Sequence, residues 1–431
     1  MSQSNAGEGV VSRVPANPAS PATTAAVAKL GAGPVVRAKR RMPWQARVLL
    51  ALLSRISHGS LSLRLPDGSE RSFGAGEPHA AMHIDDWAVF RDALSTGDIG
   101  FAEAYLRGEW RTHDLAGLLR LLVDNRNSLE RAIYGGPIGG LFKRMRHLLN
   151  ANTRGGSKRN IAAHYDLGND FYALWLDGGM TYSSALFGGN HTRALGEAQD
   201  AKYARILGTL ALPAGSRILE IGCGWGGFAQ AATQSGCHVT GLTLSREQLA
   251  WATSRLERAG LAAQADLKLQ DYRDERGSYD AVVSVEMYEA VGERWWPAYF
   301  DTIAASLRPG GRAMVQAITI DDALFERYRT GTDFIQQYVF PGGMLASPSR
   351  FRAEAKRAGL SVRGELAFGP DYAETLRRWR VAFMGRLDAV REQGFDERFI
   401  RLWEFYLAYC EAAFDSGCCD VYQFELQKES A

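Results

Sequence analysis

Apolar and polar positions change rhythm several times along this chain. Residues 1–40 are rich in Ala, Ser, Pro, Gly and Val, with few large apolar groups. Such a stretch buries too little surface to offset the entropy of ordering, so a disordered tail is expected there. From Pro43 the pattern turns helical: in MPWQARVLLALLSRIS, Trp44, Val48, Leu49, Leu52, Leu53 and Ile56 recur at helical spacing. SLSLRLPDGSERSF then alternates around a PDG turn, which predicts a hairpin. FAEAYLRGEWRTHDLAGLLRLLVDN reads as a helical continuation. Together these segments predict a small α+β domain over 41–134. GGPIGG (135–140) and NANTRGGSKRN (150–160) bracket a basic helix, so 135–160 reads as a linker.

After residue 160 strands and helices alternate. The expected strands are 216–221, 237–242, 265–270, 279–285, 311–319, 360–367 and 419–427, with helices such as SREQLAWATSRLERAG between them. This order predicts an α/β domain over 161–431: a Rossmann-like, mostly parallel seven-stranded sheet with helices on both faces. The last run, CDVYQFELQ, alternates strongly at the chain end and is expected to pair antiparallel.

Composition adds little to the fold but bears on location. A chain of 431 residues can bury two cores. The net charge of +2 hides an uneven distribution. Through residue 60, Arg13, Lys29, Arg37, Lys39, Arg40, Arg41, Arg47 and Arg55 face one acid, Glu8; a second cluster holds Lys143, Arg144, Arg146, Arg154, Lys158 and Arg159. Such clusters suit an anionic surface, membrane or nucleic acid, with a solvated basic face as the plain alternative. No run reaches the ~18 apolar residues of a membrane span. The five cysteines, Cys418 and Cys419 adjacent, show no metal or disulfide spacing and read as reduced thiols of a cytoplasmic protein.

The chemistry centres on RILEIGCGWGGFAQ (217–230). Gly222, Gly224 and Gly227 fit a dinucleotide fingerprint; Glu220 with Gly222, Gly224 and Gly226 fits the turn of S-adenosylmethionine (SAM) methyltransferases. Charge separates the two. A dinucleotide puts a pyrophosphate at the helix N-terminus, where Glu220 would repel it. SAM brings an ammonium and a sulfonium, which a carboxylate suits. The second strand ends without the acid that commonly accepts ribose hydroxyls, leaving Gln248 as the acceptor. Asp271 and Tyr272 follow the third strand, where an adenine amino group and ring face would sit.

Five segments then carry a resemblance: HYDLGNDFYALWLDGGMTYSSALF (164–187), LEIGCGWGG (219–227), GLTLSREQ (241–248), VEMYEAVGERWWPAYF (285–300) and DFIQQYVFPGGML (333–345). Together they resemble the cyclopropane fatty acid synthase and mycolic acid methyltransferase family. The N-terminal domain looks like the lipid-binding and dimerising domain of its phospholipid-acting members. The resemblance implies a class I SAM-dependent fold and a reaction in which the alkene of an unsaturated acyl chain on a membrane phospholipid attacks the SAM methyl. Loss of a proton from the new methyl, to a bound bicarbonate, closes a cyclopropane. It also implies peripheral association with an anionic membrane surface on the inner face of the cell membrane, a homodimer, and no nucleic acid partner.

The roles implied by resemblance are as follows. Tyr182 and Ser183 contact the carboxylate end of SAM; Gly222, Gly224 and Gly226 line its methionine part. Thr243 and Gln248 serve the ribose, and Asp271 and Tyr272 the adenine. Glu289 holds bicarbonate, Tyr372 hydrogen-bonds it, and Ile318 adds backbone to the same anion. An alkene is a weak nucleophile, so the site must be dry, and Tyr272, Tyr288, Trp295, Trp296 and Tyr299 are candidates to face a cation, with plain packing as their alternative. His164 is a candidate to order a lid segment, or a structural histidine.

Two positions depart from the family. Ser184 stands where cysteine is usual, and Gln316 where histidine is usual. Both keep hydrogen-bonding capacity. If they change the anion site, a methylene or methyl branch replaces the ring. Other readings are a methyltransferase of a soluble small molecule, a membrane-binding protein with a relic SAM fold, and an NAD enzyme. If residues 1–40 are a disordered tail, deleting them leaves turnover on phospholipid vesicles within about two-fold; a truncated chain that binds SAM without turnover contradicts that expectation.

Overall fold

The computed structural model describes residues 41–133 and 167–429. The expected tail (1–40), the basic linker (135–160) and His164 lie outside the described residues. From Met42 on, the described residues form one compact unit built around two sheets.

The first sheet contains the expected hairpin. Strands β1 (Gly59–Arg64) and β2 (Glu70–Ala75) pair antiparallel, with Leu61 opposite Phe73. Two further strands depart from the expectation. β3 (His79–Ile84) runs parallel to β1, and β4 (Trp110–Arg111) pairs antiparallel with β3, giving the order β2-β1-β3-β4. In β3 the buried residues Ala80, Met82 and Ile84 alternate correctly, but Ala and His have little strand preference and conceal it. The expected continuous helix over 101–125 is broken. A helix over Asp98–Leu106 ends before Gly108, whose φ of +74° favours glycine. After β4 a new helix, Leu115–Asp124, starts under the Asp114 side chain, which accepts from the Gly117 amide at 2.9 Å. The helix over Trp44–Leu53 turns Ala46 and Leu52 inward and leaves Trp44 and Val48 63% and 39% exposed.

The second sheet has seven strands: β5 (Arg217–Ile221), β6 (His238–Thr243), β7 (Ala265–Leu269), β8 (Tyr279–Val285), β9 (Leu307–Ile320), β10 (Leu360–Ala367) and β11 (Cys419–Lys428). Their order is β10-β11-β9-β8-β5-β6-β7. β7-β6-β5-β8-β9 are parallel; β11 is antiparallel to both β9 and β10, as its terminal place led us to expect. β9 alone differs appreciably, starting at Leu307 because its lead pairs Leu307 with Tyr279 before a register shift. Strand order reverses beside β5, so the crevice beyond the carboxyl ends of β5 and β8 is where such a sheet takes its ligand.

The helix Glu397–Asp415 joins the two sheets. It packs on Leu115–Asp124, on Asp98–Leu106 and on the helix Gly369–Met384. Tyr105 Oη donates to Glu404 at 2.6 Å and Tyr409 Oη to Asp98 at 3.3 Å. Trp403 sits in the middle, ringed by Phe171, Trp175, Phe399 and Tyr406. Among the described residues no helix is long and apolar enough to cross a membrane. Trp403→Ala should cost ~3–5 kcal/mol of stability, because the cavity cannot close within this aromatic group. A urea midpoint within error of wild type would contradict this.

Candidate active site

The glycine turn forms as its spacing predicts. Gly222, Gly224 and Gly226 have φ of +84°, +49° and +80°. A Cβ on Gly222 would strike Met287 Cγ at 2.8 Å, and one on Gly226 would strike Ala252 Cβ at 2.9 Å; a Cβ on Gly224 would meet nothing within 4 Å. Gly222 and Gly226 therefore serve close packing, while Gly224 opens onto a cavity. Tyr182, Ser183, Glu220, Gly222 and Gly224 line one part of that cavity, and Thr243, Gln248, Asp271 and Tyr272 another. Gly226 does not line it; its neighbour Gly227 does.

The lining is built for a ligand with a cationic end. Glu220 is buried, and its Oε2 has no hydrogen-bond partner among the described residues. Burial pushes its carboxyl well above the ordinary range, against the opposing charge of Arg255. A cation brought beside it would restore the charged form. Thr243 Oγ1 donates to Gln248 Oε1 at 3.0 Å, which fixes that amide at the end of β6. Asp271 is less free than expected: its two oxygens accept from Arg273 at 2.9 and 2.6 Å, so an adenine amino group would share them.

The expected anion ligands converge on a side chain instead. Glu286, directly after β8, is half-buried and lines the cavity. Its Oε1 accepts from the Ser184 amide at 2.8 Å and from Gln316 Nε2 at 2.7 Å; its Oε2 accepts from Tyr372 Oη at 2.6 Å. Burial raises its proton affinity, while Lys202, Tyr372, Ser184 and Gln316 act in the other direction. Its backbone has φ of +49°, an uncommon value for a residue with a side chain, and its amide is fastened to the Gln316 carbonyl at 2.8 Å. Glu289 lies one turn on. Its Oε1 accepts from the Ile318 amide, and its Oε2 has no hydrogen-bond partner among the described residues.

Of the five aromatic residues expected to face a cation, only Tyr272 lines the cavity. Tyr288, Trp296 and Tyr299 are fully buried against Phe300, Phe325 and one another, and Trp295 stacks with Arg273. The aromatic wall comes instead from Tyr182 and Trp225, backed by Tyr172, Trp175 and Trp379. Sequence reasoning also missed Glu286 and Lys202. Glu286 had a signal: a carboxylate just past the carboxyl end of a central parallel strand. Lys202 had one too, falling on the stripe of Ala198, Ile206 and Leu210 that turns inward on its helix, Leu195–Leu210.

Burial first, then the charge of Glu286, pushes Glu289 up to about 8. Between the ordinary carboxylate range and about 8, the unfolded chain is ionised there while the folded chain keeps its proton. The stability contributed is full below that window and falls as pH rises through it, by at most ~1.4 kcal/mol per pH unit. Glu289→Gln keeps an acceptor for Ile318 and removes the titration. Its urea midpoint should vary less between about pH 5 and 8 than that of wild type; parallel profiles would show that Glu289 is ionised in the folded chain.

Known proteins resemble this chain over most of its length. Residues 153–424 match the family model described as mycolic acid cyclopropane synthetase. The chain is 41% identical over 417 residues to the tuberculostearic acid methyltransferase UfaA1 of Mycobacterium tuberculosis, covering 94% of this chain and 95% of that one. It is 31% identical over 350 residues to the cyclopropane-fatty-acyl-phospholipid synthase of Escherichia coli K12, covering 81% and 88%. The crystal structure of the mycolic acid cyclopropane synthase CmaA1, complexed with SAH and CTAB, superposes with a TM-score of 0.59 at 30% identity, covering 63% of this chain and 98% of that one. A glycine turn under a buried, half-unpartnered Glu220 fits SAM, and with these matches the chain belongs to the mycolic acid cyclopropane synthetase family, a SAM-dependent methyltransferase that modifies fatty acyl lipids.

Proposed function

We propose that this enzyme adds one carbon from SAM to the double bond of an unsaturated acyl chain on a membrane phospholipid, with Glu286 as the base. SAM supplies an electrophilic methyl group when bound. In this reading Tyr182 and Ser183 hold its carboxylate end, Glu220 its ammonium, Thr243 and Gln248 its ribose, and Asp271 and Tyr272 its adenine. Tyr182, Trp225 and the rings behind them keep water from the reacting carbons.

The observation that carries the reading is the bonding of Glu286. The donors expected to hold bicarbonate hold this carboxylate, and the Ile318 amide is taken by Glu289. Glu286 thus stands in for bicarbonate, tethered to the chain. The acyl chain gains CH₃⁺ and loses H⁺, a net gain of CH₂, and Glu286 takes the proton. Its raised proton affinity makes it a better base than an exposed carboxylate. Tyr372, Gln316 and the Ser184 amide keep it aimed.

Loss of that proton with bonding to the neighbouring carbon closes a cyclopropane. If a hydride first moves between the two former alkene carbons, the same loss leaves a methylene branch. The near full-length likeness to a chain named a methyltransferase supports the branch. The ring, after which the E. coli relative is named, is the second reading. Exposed Trp44 and Val48 support contact of the N-terminal domain with an anionic membrane surface.

Purified protein, SAM and vesicles of unsaturated, partly anionic phospholipid decide the product by proton NMR of the released fatty acids. Exomethylene or methyl signals support the branch; high-field ring protons support the cyclopropane. Equal turnover of a soluble substrate without vesicles would remove the membrane from the reading. Glu286→Gln should lower turnover ~10²–10⁴-fold while SAM affinity stays within a few-fold. Glu286→Gly suits the positive φ and should regain part of the activity with added bicarbonate, whereas wild type should be indifferent to bicarbonate. A wild-type enzyme that stops when bicarbonate is removed would overturn the role of Glu286.

A further inference from the structure

Lys202 has no part in the reaction described so far, yet it is 0% exposed. Its two direct partners are uncharged: Nζ donates to Ser183 Oγ and, at 2.8 Å, to Gln199 Oε1. A buried ammonium on neutral acceptors is costly unless an anion completes its surroundings. Gln199 and Lys202 are three residues apart and share one face of the helix Leu195–Leu210. Between them they grip Ser183, since Gln199 Nε2 also donates to the Ser183 carbonyl at 2.9 Å. With its carbonyl and its hydroxyl oxygen both engaged, the side chain of Ser183 keeps its O–H proton to offer the cavity it lines, beside the backbone N–H.

Among the described residues, the other cations near the cavity, Arg273 and Arg255, are already committed. Arg273 is held by both oxygens of Asp271. Arg255 donates to Gln230 Oε1 and, at 2.6 Å, to the Gly179 carbonyl. Glu220, with its unpartnered oxygen, makes its own side of the cavity unsuitable for an anion. A cofactor carrying two cationic groups and one carboxylate therefore finds its anionic pole at Ser183.

We propose that Lys202 is a positioning residue for SAM that acts through Ser183: the ammonium polarises the hydroxyl, and the hydroxyl donates to the cofactor carboxylate. A donor whose oxygen already accepts from a cation gives a stronger hydrogen bond. Burial pushes Lys202 down to about 8, and the charges of Glu286 and Asp177 oppose that; a carboxylate on Ser183 adds a third opposing charge. The proposal rests on the reading of Ser183 as the contact to the carboxylate end of SAM, and the test separates the two.

The experiment is calorimetric titration of the full chain with SAM and with decarboxylated SAM, which keeps the ammonium, sulfonium and adenosine. Lys202→Met should weaken SAM about ten-fold or more and leave decarboxylated SAM within about two-fold. Ser183→Ala should show the same selectivity, and the double variant should be no worse than the poorer single one. Equal losses for both ligands in Lys202→Met would mean a structural role and overturn the proposal. Selectivity lost in Lys202→Met but retained in Ser183→Ala would also overturn it, by severing the link between the residues. If Lys202→Met does not fold, Ser183→Ala decides: unchanged discrimination between the ligands refutes both the proposal and the reading of Ser183.

Discussion

A carboxylate taken out of water needs donors that replace its hydration, and Glu286 imposes that need on the whole catalytic region. Its donors come from three segments far apart in the chain: Ser184, Gln316 and Tyr372. Each is held in turn. Gln316 Oε1 accepts from Gln423 Nε2 at 2.9 Å across the antiparallel pairing of β9 with β11, and Gln423 Oε1 accepts from Arg205. Tyr372 is set by the helix Gly369–Met384, whose Thr375 Oγ1 accepts from the Ala185 amide at 3.1 Å. A polar chain thus runs from the site across the sheet into the helix Leu195–Leu210, the helix that also carries Lys202. Removing one link would leave a buried polar atom unsatisfied, which ties the geometry of the base to the integrity of the sheet.

The charge distribution suits the chemistry. Glu220, Glu286 and Glu289 are gathered in and beside one cavity, with the buried Lys202 behind it. A cofactor with two positive groups brought beside Glu220 would restore its charged form, while Glu289 keeps its proton at neutral pH. The same arrangement explains why the turn suits SAM better than a dinucleotide: a pyrophosphate would meet Glu220, while Arg255 and Arg273 are committed to other groups. Rings and aliphatic groups share the lining, and rings can face a cation without capturing it.

The helix Glu397–Asp415 brings the N-terminal sheet close to this chemistry. It meets the N-terminal helices through Glu404 and Tyr409, and the cavity wall through Tyr406, whose hydroxyl shares a 2.7 Å hydrogen bond with that of Tyr182. One helix thus touches both the N-terminal helices and the residue that lines the cofactor cavity. The helix Phe334–Tyr338 adds a second contact, since Tyr338 donates to Glu103.

Local physics made much of this readable in the sequence. Six of the seven strands of the main sheet agree with their pattern to within a residue, because buried strands bounded by turn residues leave a signal that tertiary context does not change. The three glycines were legible because only glycine takes those φ values freely, and Glu220 because its charge decides between two ligands. The parallel pairing of β3 with β1 was not legible, since that register comes from a partner distant in sequence. Nor was the break at Gly108, where one glycine competes with a strong helical pattern. The roles of Glu286 and Lys202 were decided by tertiary structure alone. Each residue carried only a positional signal, the strand end for Glu286 and the inward stripe for Lys202, and it is the donors and acceptors brought from elsewhere in the chain that turn it into part of a site.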